Sequence, residues 1–235
     1  MTTAIILAGG LGTRLRDAVP DLPKPMAPVQ GRPFLEYQMD YWIAQGVARF
    51  VLSVGYRSEA IIGHFGTAYR GASIDYAVEE TPLGTGGGLL LAAEKTADDA
   101  AFLLLNGDTF FAVDLAALTA FHSERRAGWT FSLFRAGEAG RYMGVTASAD
   151  GRIQSLRSGK GEIGALANGG VYLIDPARLR RISYRAGDRV SLEDQLLPAF
   201  EAAGGELFGM TSAGRFIDIG VPADYRRAAQ VLESD

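Results

Sequence analysis

A short run that is apolar at every position, Ala4 to Ala8, breaks abruptly into Gly9-Gly10-Leu11-Gly12. A run of that kind suits a strand buried on both faces, as in a parallel sheet, better than a strand with one face in water. Glycines at its end permit backbone conformations and close approaches that other residues resist. Glycine makes up 30 of 235 residues, about 13% against a usual level near 7%. The residues bunch at Gly9 to Gly12, Gly84 to Gly88 and Gly169-Gly170, each beside a strand-like run, so they read as built loops rather than linkers.

Apolar positions Leu35, Met39, Trp42 and Ile43 recur at helical spacing, and Phe50 to Val54 resumes a β-rich run. The alternation continues with a helix near Ser58 to Phe65, a strand near Ile74 to Val78, a helix after Gly88 and a strand at Ala101 to Leu105. This predicts an α/β fold, a three-layer, Rossmann-like sandwich with a mostly parallel sheet and ligands at the carboxyl ends of its strands. The second half, with strands near Trp129, Met143, Ile153 and Val171 and fewer helices, predicts a mixed sheet. Ser191 with Asp194 reads as a helix cap, Gly205 to Met210 and Phe216 to Gly220 as late strands, and Pro222 as the start of a last helix. One domain over 1–235 is expected, in two halves, 1–110 and 111–235.

A formal net charge of −4 with scattered cations lacks the footprint of a nucleic-acid binder. The absence of cysteine removes disulfides, thiolate zinc sites and cysteine nucleophiles. With no basic leader and no apolar stretch long enough to span a bilayer, a cytoplasmic protein without membrane partners is expected.

The glycine loop fails two phosphate-binding fingerprints: Leu15 stands where the dinucleotide pattern needs glycine, and no Gly-Lys-Ser/Thr occurs. Backbone donors plus the Arg14 fork could still hold a triphosphate. Lys24, stiffened by Pro23 and Pro25, could aim an ammonium inward. The plainer reading is a structural turn carrying two solvated cations.

Gly9-Gly10-Leu11-Gly12-Thr13-Arg14-Leu15 with Lys24-Pro25 resembles the signature of the sugar-nucleotide pyrophosphorylases. Further motifs match in family order: Pro82-Leu83-Gly84-Thr85-Gly86-Gly87, Asn106-Gly107-Asp108, Asn168-Gly169-Gly170-Val171-Tyr172 and Ile217-Asp218-Ile219-Gly220 through Tyr225. Within that family, Phe34 to Tyr37, Leu52 to Tyr56 and Asn106 to Phe111 resemble bacterial D-glycero-α-D-manno-heptose 1-phosphate guanylyltransferases. The resemblance implies transfer of GMP from GTP to a sugar 1-phosphate, with Mg²⁺ as cofactor and a homo-oligomer open.

It implies Arg14, Lys24, Asp108 and Asp218 as catalytic residues, the two aspartates as metal ligands. Nucleotide contacts would come from Leu7, Ala8, Gly9, Gly10, Gly12, Thr13, Arg14, Glu79, Pro82, Gly84, Thr85, Asn106 and Gly107. Sugar-phosphate contacts would come from Gly144, Lys160, Asn168 and Gly169. Gly159 departs from the family, which usually carries glutamate immediately before that lysine, and a solvated loop lysine is the rival reading. His64 and His122, the only histidines, lie outside these motifs; an attacking phosphate monoester needs no base.

Base choice is partly legible. Guanine offers two adjacent donors that one carboxylate can accept, so Glu79, where thymidylyl relatives tend to carry glutamine, favours GTP. Glu80 is the alternative reader. The competing substrates are mannose 1-phosphate with GTP, or a hexosamine-type sugar 1-phosphate with UTP. A non-catalytic nucleotide-sugar-binding regulator is disfavoured, since all four catalytic candidates are present.

Overall fold

The apolar run at the amino terminus becomes the spine of the molecule. This computed structural model describes residues 2–10, 12, 15, 19–138, 141–157 and 162–233. In chain order the strands are β1 (Thr3–Leu7), β2 (Pro28–Val29), β3 (Arg32–Pro33), β4 (Arg49–Val54), β5 (Ala68–Tyr69), β6 (Ala72–Val78), β7 (Phe102–Asn106), β8 (Thr109–Phe111), β9 (Trp129–Arg135), β10 (Gly144–Ala147), β11 (Ile153–Arg157), β12 (Leu166–Ile174), β13 (Leu207–Thr211) and β14 (Phe216–Asp218). The helices are α1 (Phe34–Ala44), α2 (Ser58–Phe65), α3 (Gly84–Ala93), α4 (Leu115–Glu124), α5 (Pro176–Leu179), α6 (Leu197–Ala202) and α7 (Pro222–Leu232).

β1 lies between β4 and β7, parallel to both, with Leu7 opposite Ser53 on one side and Asn106 on the other. The main sheet runs β11-β10-β12-β7-β1-β4-β6-β5, with β9 paired to β12 and β13 to β9. Pairing is parallel from β7 to β6 and turns antiparallel at β12. That is the mixed sheet expected of the second half.

Alternation along β1 builds two cores. Ala4 and Ile6 face Leu35, Met39 and Trp42 of α1, with α2 and α4 on the same side. Ile5 faces Leu89 and Leu90 of α3, with α5 and α6. These layers make the three-layer sandwich. Leu35, Met39 and Trp42 are fully buried, and burial of each such side chain is worth roughly 1.5–3 kcal/mol. A third cluster joins Val29, Phe110, Ile217 and Ala228 where the β8–β14 ribbon meets α7.

Local signals placed most boundaries, and three readings change. Gly84 to Gly88 are the first turns of α3, not a loop before it. A Cβ on Gly84 or Gly87 would fall 2.7 Å from Val190 O or 2.4 Å from Asp188 O, so the glycines admit the 188–192 segment against the helix. Gly169 and Gly170 lie inside β12, at an irregularity in its pairing with β9, not in a turn before the strand. The 216–220 run ends as a strand at Asp218 and pairs with β8 outside the main sheet. The cap at Ser191 holds: its Oγ accepts the Asp194 N–H at 3.2 Å, opening a π-helical turn, Leu192–Leu196, that runs into α6.

α4 was not foreseen; Asp114 caps it by accepting the Ala117 N–H at 3.0 Å. It buries His122 against Thr130, Nδ1 to Oγ1 at 2.8 Å. Burial pushes the imidazole below its ordinary pKa of 6.5, outweighing the opposing pull of Asp175. The unfolded chain therefore takes up this proton more readily, so the stability contribution is complete above about pH 6.5 and is lost as pH falls through the folded-state value. Urea unfolding between pH 7.5 and 5 should show His122→Asn losing less stability on acidification than the parent. An equal loss in both would remove this group as the cause.

Candidate active site

The site forms at the carboxyl ends of β1, β6 and β7, where the parallel strands stop and their connections diverge. There a cleft of about 570 Å³ is lined by Leu7, Ala8, Gly9, Gly10, Gly12, Lys24, Pro25, Glu79, Pro82, Gly84, Thr85, Asn106, Gly107, Asp108 and Glu193. The volume suits a nucleotide-sized ligand. Every described residue expected to contact the nucleotide is on this wall. Thr13, Arg14 and Lys160 lie outside the described residues.

The glycine loop is shaped by contacts on one side and space on the other. Gly12 has φ +61°, and a Cβ there would touch Lys24 Cβ at 3.4 Å. A Cβ on Gly10, which lines the cleft, meets no atom of the described residues within 4 Å. Pro23 and Pro25 frame the 3₁₀ turn Lys24–Met26, which delivers the ammonium to Asp108, Nζ to Oδ2 at 2.7 Å, with the lysine side chain 10% exposed.

Asp108 stands in a tight turn between β7 and β8. Gly107 N–H donates to Leu7 O at 3.0 Å, and Asp108 O accepts the Ile219 N–H at 2.9 Å. The second bond ties the turn to β14, whose Asp218 is paired with Thr109. Gly220 marks the junction: a Cβ there would lie 2.7 Å from Asp218 Oδ1 and 3.2 Å from Lys24 Nζ. Lys24, Asp108 and Asp218, far apart in sequence, thus converge. Asp218 itself is not on the wall of this cleft; it lines a second cavity, of about 440 Å³, with Arg141 and Asp224.

Burial pushes the Asp218 carboxyl above the usual carboxylate range, and the Asp108 charge pushes it further; the Gly220 N–H, Lys24 and Arg141 oppose this. Two hard carboxylates repelling each other next to Lys24 and a nucleotide-sized cleft are a donor set that fits a divalent cation, with ligand oxygens and water completing its shell. Among the described residues no group of three or more acidic, histidine or cysteine side chains forms a fuller metal cage.

At the other end of the cleft, Glu79 accepts Leu83 N–H on Oε2 at 2.9 Å and Ser53 Oγ–H on Oε1 at 3.3 Å. Glu80 is exposed and off the cleft wall. Gly144 begins β10 and, with Asn168 and Gly169, does not line the cleft. Asn168 lies behind it, donating from Nδ2 to the buried Tyr172 hydroxyl at 2.7 Å, while a Cβ on Gly170 would press on Asn106 Nδ2 at 2.8 Å.

Two features were missed in the sequence. Glu193 enters the cleft from the turn after Ser191, where burial raises its carboxyl pKa and the Thr85 hydroxyl draws it down. Nothing in its spacing separates it from the surface acids around it. Arg141 pairs with buried Asp224, which Arg227 also meets at 2.8 Å, and lies beside the Asp218 carbonyl at 3.4 Å.

A family model described as nucleotidyl transferase matches residues 3–235. The chain is 40% identical over 230 residues, 98% of each chain, to D-glycero-alpha-D-manno-heptose 1-phosphate guanylyltransferase of Aneurinibacillus thermoaerophilus. It is 34% identical over 222 residues, 94% of this chain and 96% of the other, to the protein of the same name from Campylobacter jejuni. HddC from Yersinia pseudotuberculosis, in a crystal structure complexed with GMP-PN, superposes with a TM-score of 0.83 at 32% identity, covering 98% of this chain and 99% of that one. No described helix is long and apolar enough to cross a membrane. Likeness from end to end, in sequence and in fold, makes this chain a member of the nucleotidyl transferase family.

Proposed function

We propose that this protein transfers GMP from GTP to D-glycero-α-D-manno-heptose 1-phosphate, giving GDP-heptose and pyrophosphate. The convergence of Lys24 on Asp108 at 2.7 Å, with Asp218 across the β8–β14 ribbon, carries the chemistry. The heptose rests on the 40% identity to a relative of that name, and the guanine on Glu79 together with the structural neighbour complexed with GMP-PN.

In this reading a sugar phosphate oxygen attacks the α-phosphorus, a bond forms there, and the bridge to the β-phosphate breaks with its electron pair leaving on pyrophosphate. Both partners are anions, so the enzyme's task is alignment and charge neutralisation. Leu7, Ala8, Gly9, Gly10 and Gly12, with Thr13 and Arg14, are assigned to the triphosphate, and Lys24 to its developing charge. Asp108 and Asp218 would hold Mg²⁺, which when bound supplies neutralisation between the two phosphates. Pro82, Gly84, Thr85, Asn106 and Gly107 wall the nucleoside. Lys160 serves the sugar phosphate, with Gly144, Asn168 and Gly169 acting from off the cleft wall and Glu193 from the wall itself.

The test is pyrophosphate release over GTP and UTP, each with the heptose, mannose and N-acetylhexosamine 1-phosphates. GTP with the heptose phosphate is expected to be fastest; preference for mannose 1-phosphate or for UTP would replace this reading. Glu79→Gln should lower kcat/KM for GTP by about 10- to 100-fold, the worth of a charge-assisted pair, and improve UTP relative to it. Glu80→Gln should change neither. The reverse pattern would move base reading to Glu80.

A further inference from the structure

Helix α1 carries Gln38 and Tyr41 at i and i+3 on one face, and Gln45, its carboxyl-terminal cap, follows at i+7. All three hydrogen-bond to the main chain of one segment. Gln38 Nε2 donates to Asn106 O at 2.7 Å and Thr109 O at 2.5 Å. Tyr41 and Gln45 donate to Val113 O, each at 3.1 Å, and Gln45 Oε1 accepts the Leu115 N–H at 2.8 Å. The segment they hold presents Asp108.

Gln38 differs from its neighbours in what it spans. Its two acceptors are the residues flanking Gly107-Asp108, so one amide closes the turn from beneath, joining the end of β7 to the start of β8. The ties to Leu7 O and from Ile219 N–H are main chain to main chain, while Lys24 and the Thr109 hydroxyl bond to the Asp108 carboxylate itself and not to the backbone of the turn. The side chain is 2% exposed, and its Oε1 has no partner among the described residues. Burying a primary amide in an apolar layer is costly unless its hydrogen bonds repay it, and here the donors alone are used.

We infer that Gln38 is a positioning residue for Asp108: its amide sets the distance at which the Asp108 carboxylate faces Asp218, and so tunes the affinity of the pair for a divalent cation. This rests on the metal-holding role proposed for the two aspartates. Gln45 provides the control, a glutamine at the cap of the same helix whose amide bonds to main chain beyond the turn.

Gln38→Met removes the donors at nearly constant shape, and Gln45→Met does the same one helix segment away. Three quantities are read: the thermal transition, Mn²⁺ binding with GTP followed by electron paramagnetic resonance, and kcat against KM for GTP. Both variants should lose some thermal stability. Gln38→Met should weaken Mn²⁺ binding about tenfold and lower kcat by about 10- to 100-fold, with KM for GTP within about twofold of the parent, as expected of a misplaced group. Gln45→Met should leave Mn²⁺ binding and kcat unchanged. Parental Mn²⁺ affinity in Gln38→Met, or equal weakening in both variants, would overturn the assignment.

If Gln38→Met does not fold, Gln38→Glu, which keeps the outline but turns a donor into an acceptor against two carbonyls, carries the same expectation and the same refutation. Mn²⁺ binding needs no turnover. A parent that binds Mn²⁺ with GTP yet transfers nothing to any sugar 1-phosphate would defeat the proposed reaction and leave the comparison of variants to decide Gln38.

Discussion

Asp108→Asn is expected to lower turnover by about 10³-fold or more at saturating Mg²⁺, with fold and thermal transition close to the parent. The substitution keeps the shape and removes the charge. Asp108 lies at a cleft with its side chain 32% exposed, so little packing depends on it. Three electrostatic relations change at once. Lys24, whose side chain is 10% exposed, loses its anionic partner. Asp218 loses the neighbouring charge that helps to raise its carboxyl, so that pKa should fall toward the ordinary range. The pair becomes a single carboxylate and loses its hold on a divalent ion. Near-normal pyrophosphate release by Asp108→Asn would remove this residue from the metal site. A carboxyl titration of Asp218 followed by carbon-13 NMR, in parent and variant, provides a readout independent of turnover.

Gly107→Ala attacks the same turn through packing. Its Cβ would stand 2.4 Å from Leu7 O and 3.1 Å from Leu7 C, far inside contact. Leu7 belongs to β1, pinned between β4 and β7, so the clash has no flexible side chain to absorb it. Overpacking of this kind costs about 1–3 kcal/mol, and each 1 kcal/mol lowers Tm by roughly 2–4 °C in a chain of this size. Displacing the turn also misplaces Asp108, so turnover should fall by about 10²-fold. Gly10→Ala is the counterpart, since its Cβ meets no atom of the described residues within 4 Å. That variant should keep the parental Tm and raise KM for GTP, because Gly10 lines the cleft and a side chain there takes space from the nucleotide. Equal Tm losses in both variants would contradict the distinction drawn between a glycine needed by the fold and one needed by the ligand.

The sheet was legible because its signals are local. Ala4 to Ala8 is apolar at every position since β1 is covered on both faces, whereas in β9 Trp129, Phe131 and Leu133 alternate with Thr130 and Ser132 although all five are buried. Ser191 announced its cap through a partner three residues away. The glycines of α3 misled because glycine is a poor helix former, and the reason for them is a segment a hundred residues downstream whose carbonyls leave no room for a side chain. Glu193 was invisible on the same ground: Leu192 N–H reaches Thr85 Oγ1 at 3.1 Å across 107 positions, and that clasp turns one acid among several into the cleft.

By itself the amino-acid order determined the alternation of strands and helices, the glycine loop after the first strand and the family whose motifs these are. Hydrophobic periodicity and turn chemistry act over a few residues and can be read there. Tertiary structure decided that Lys24 meets Asp108 across 84 positions, that a separate ribbon brings Asp218 beside them, that Glu79 rather than Glu80 faces the cleft, and that Gln38 braces the turn from below. Such meetings depend on how buried faces of distant elements fit together, and no spacing along the chain encodes that fit.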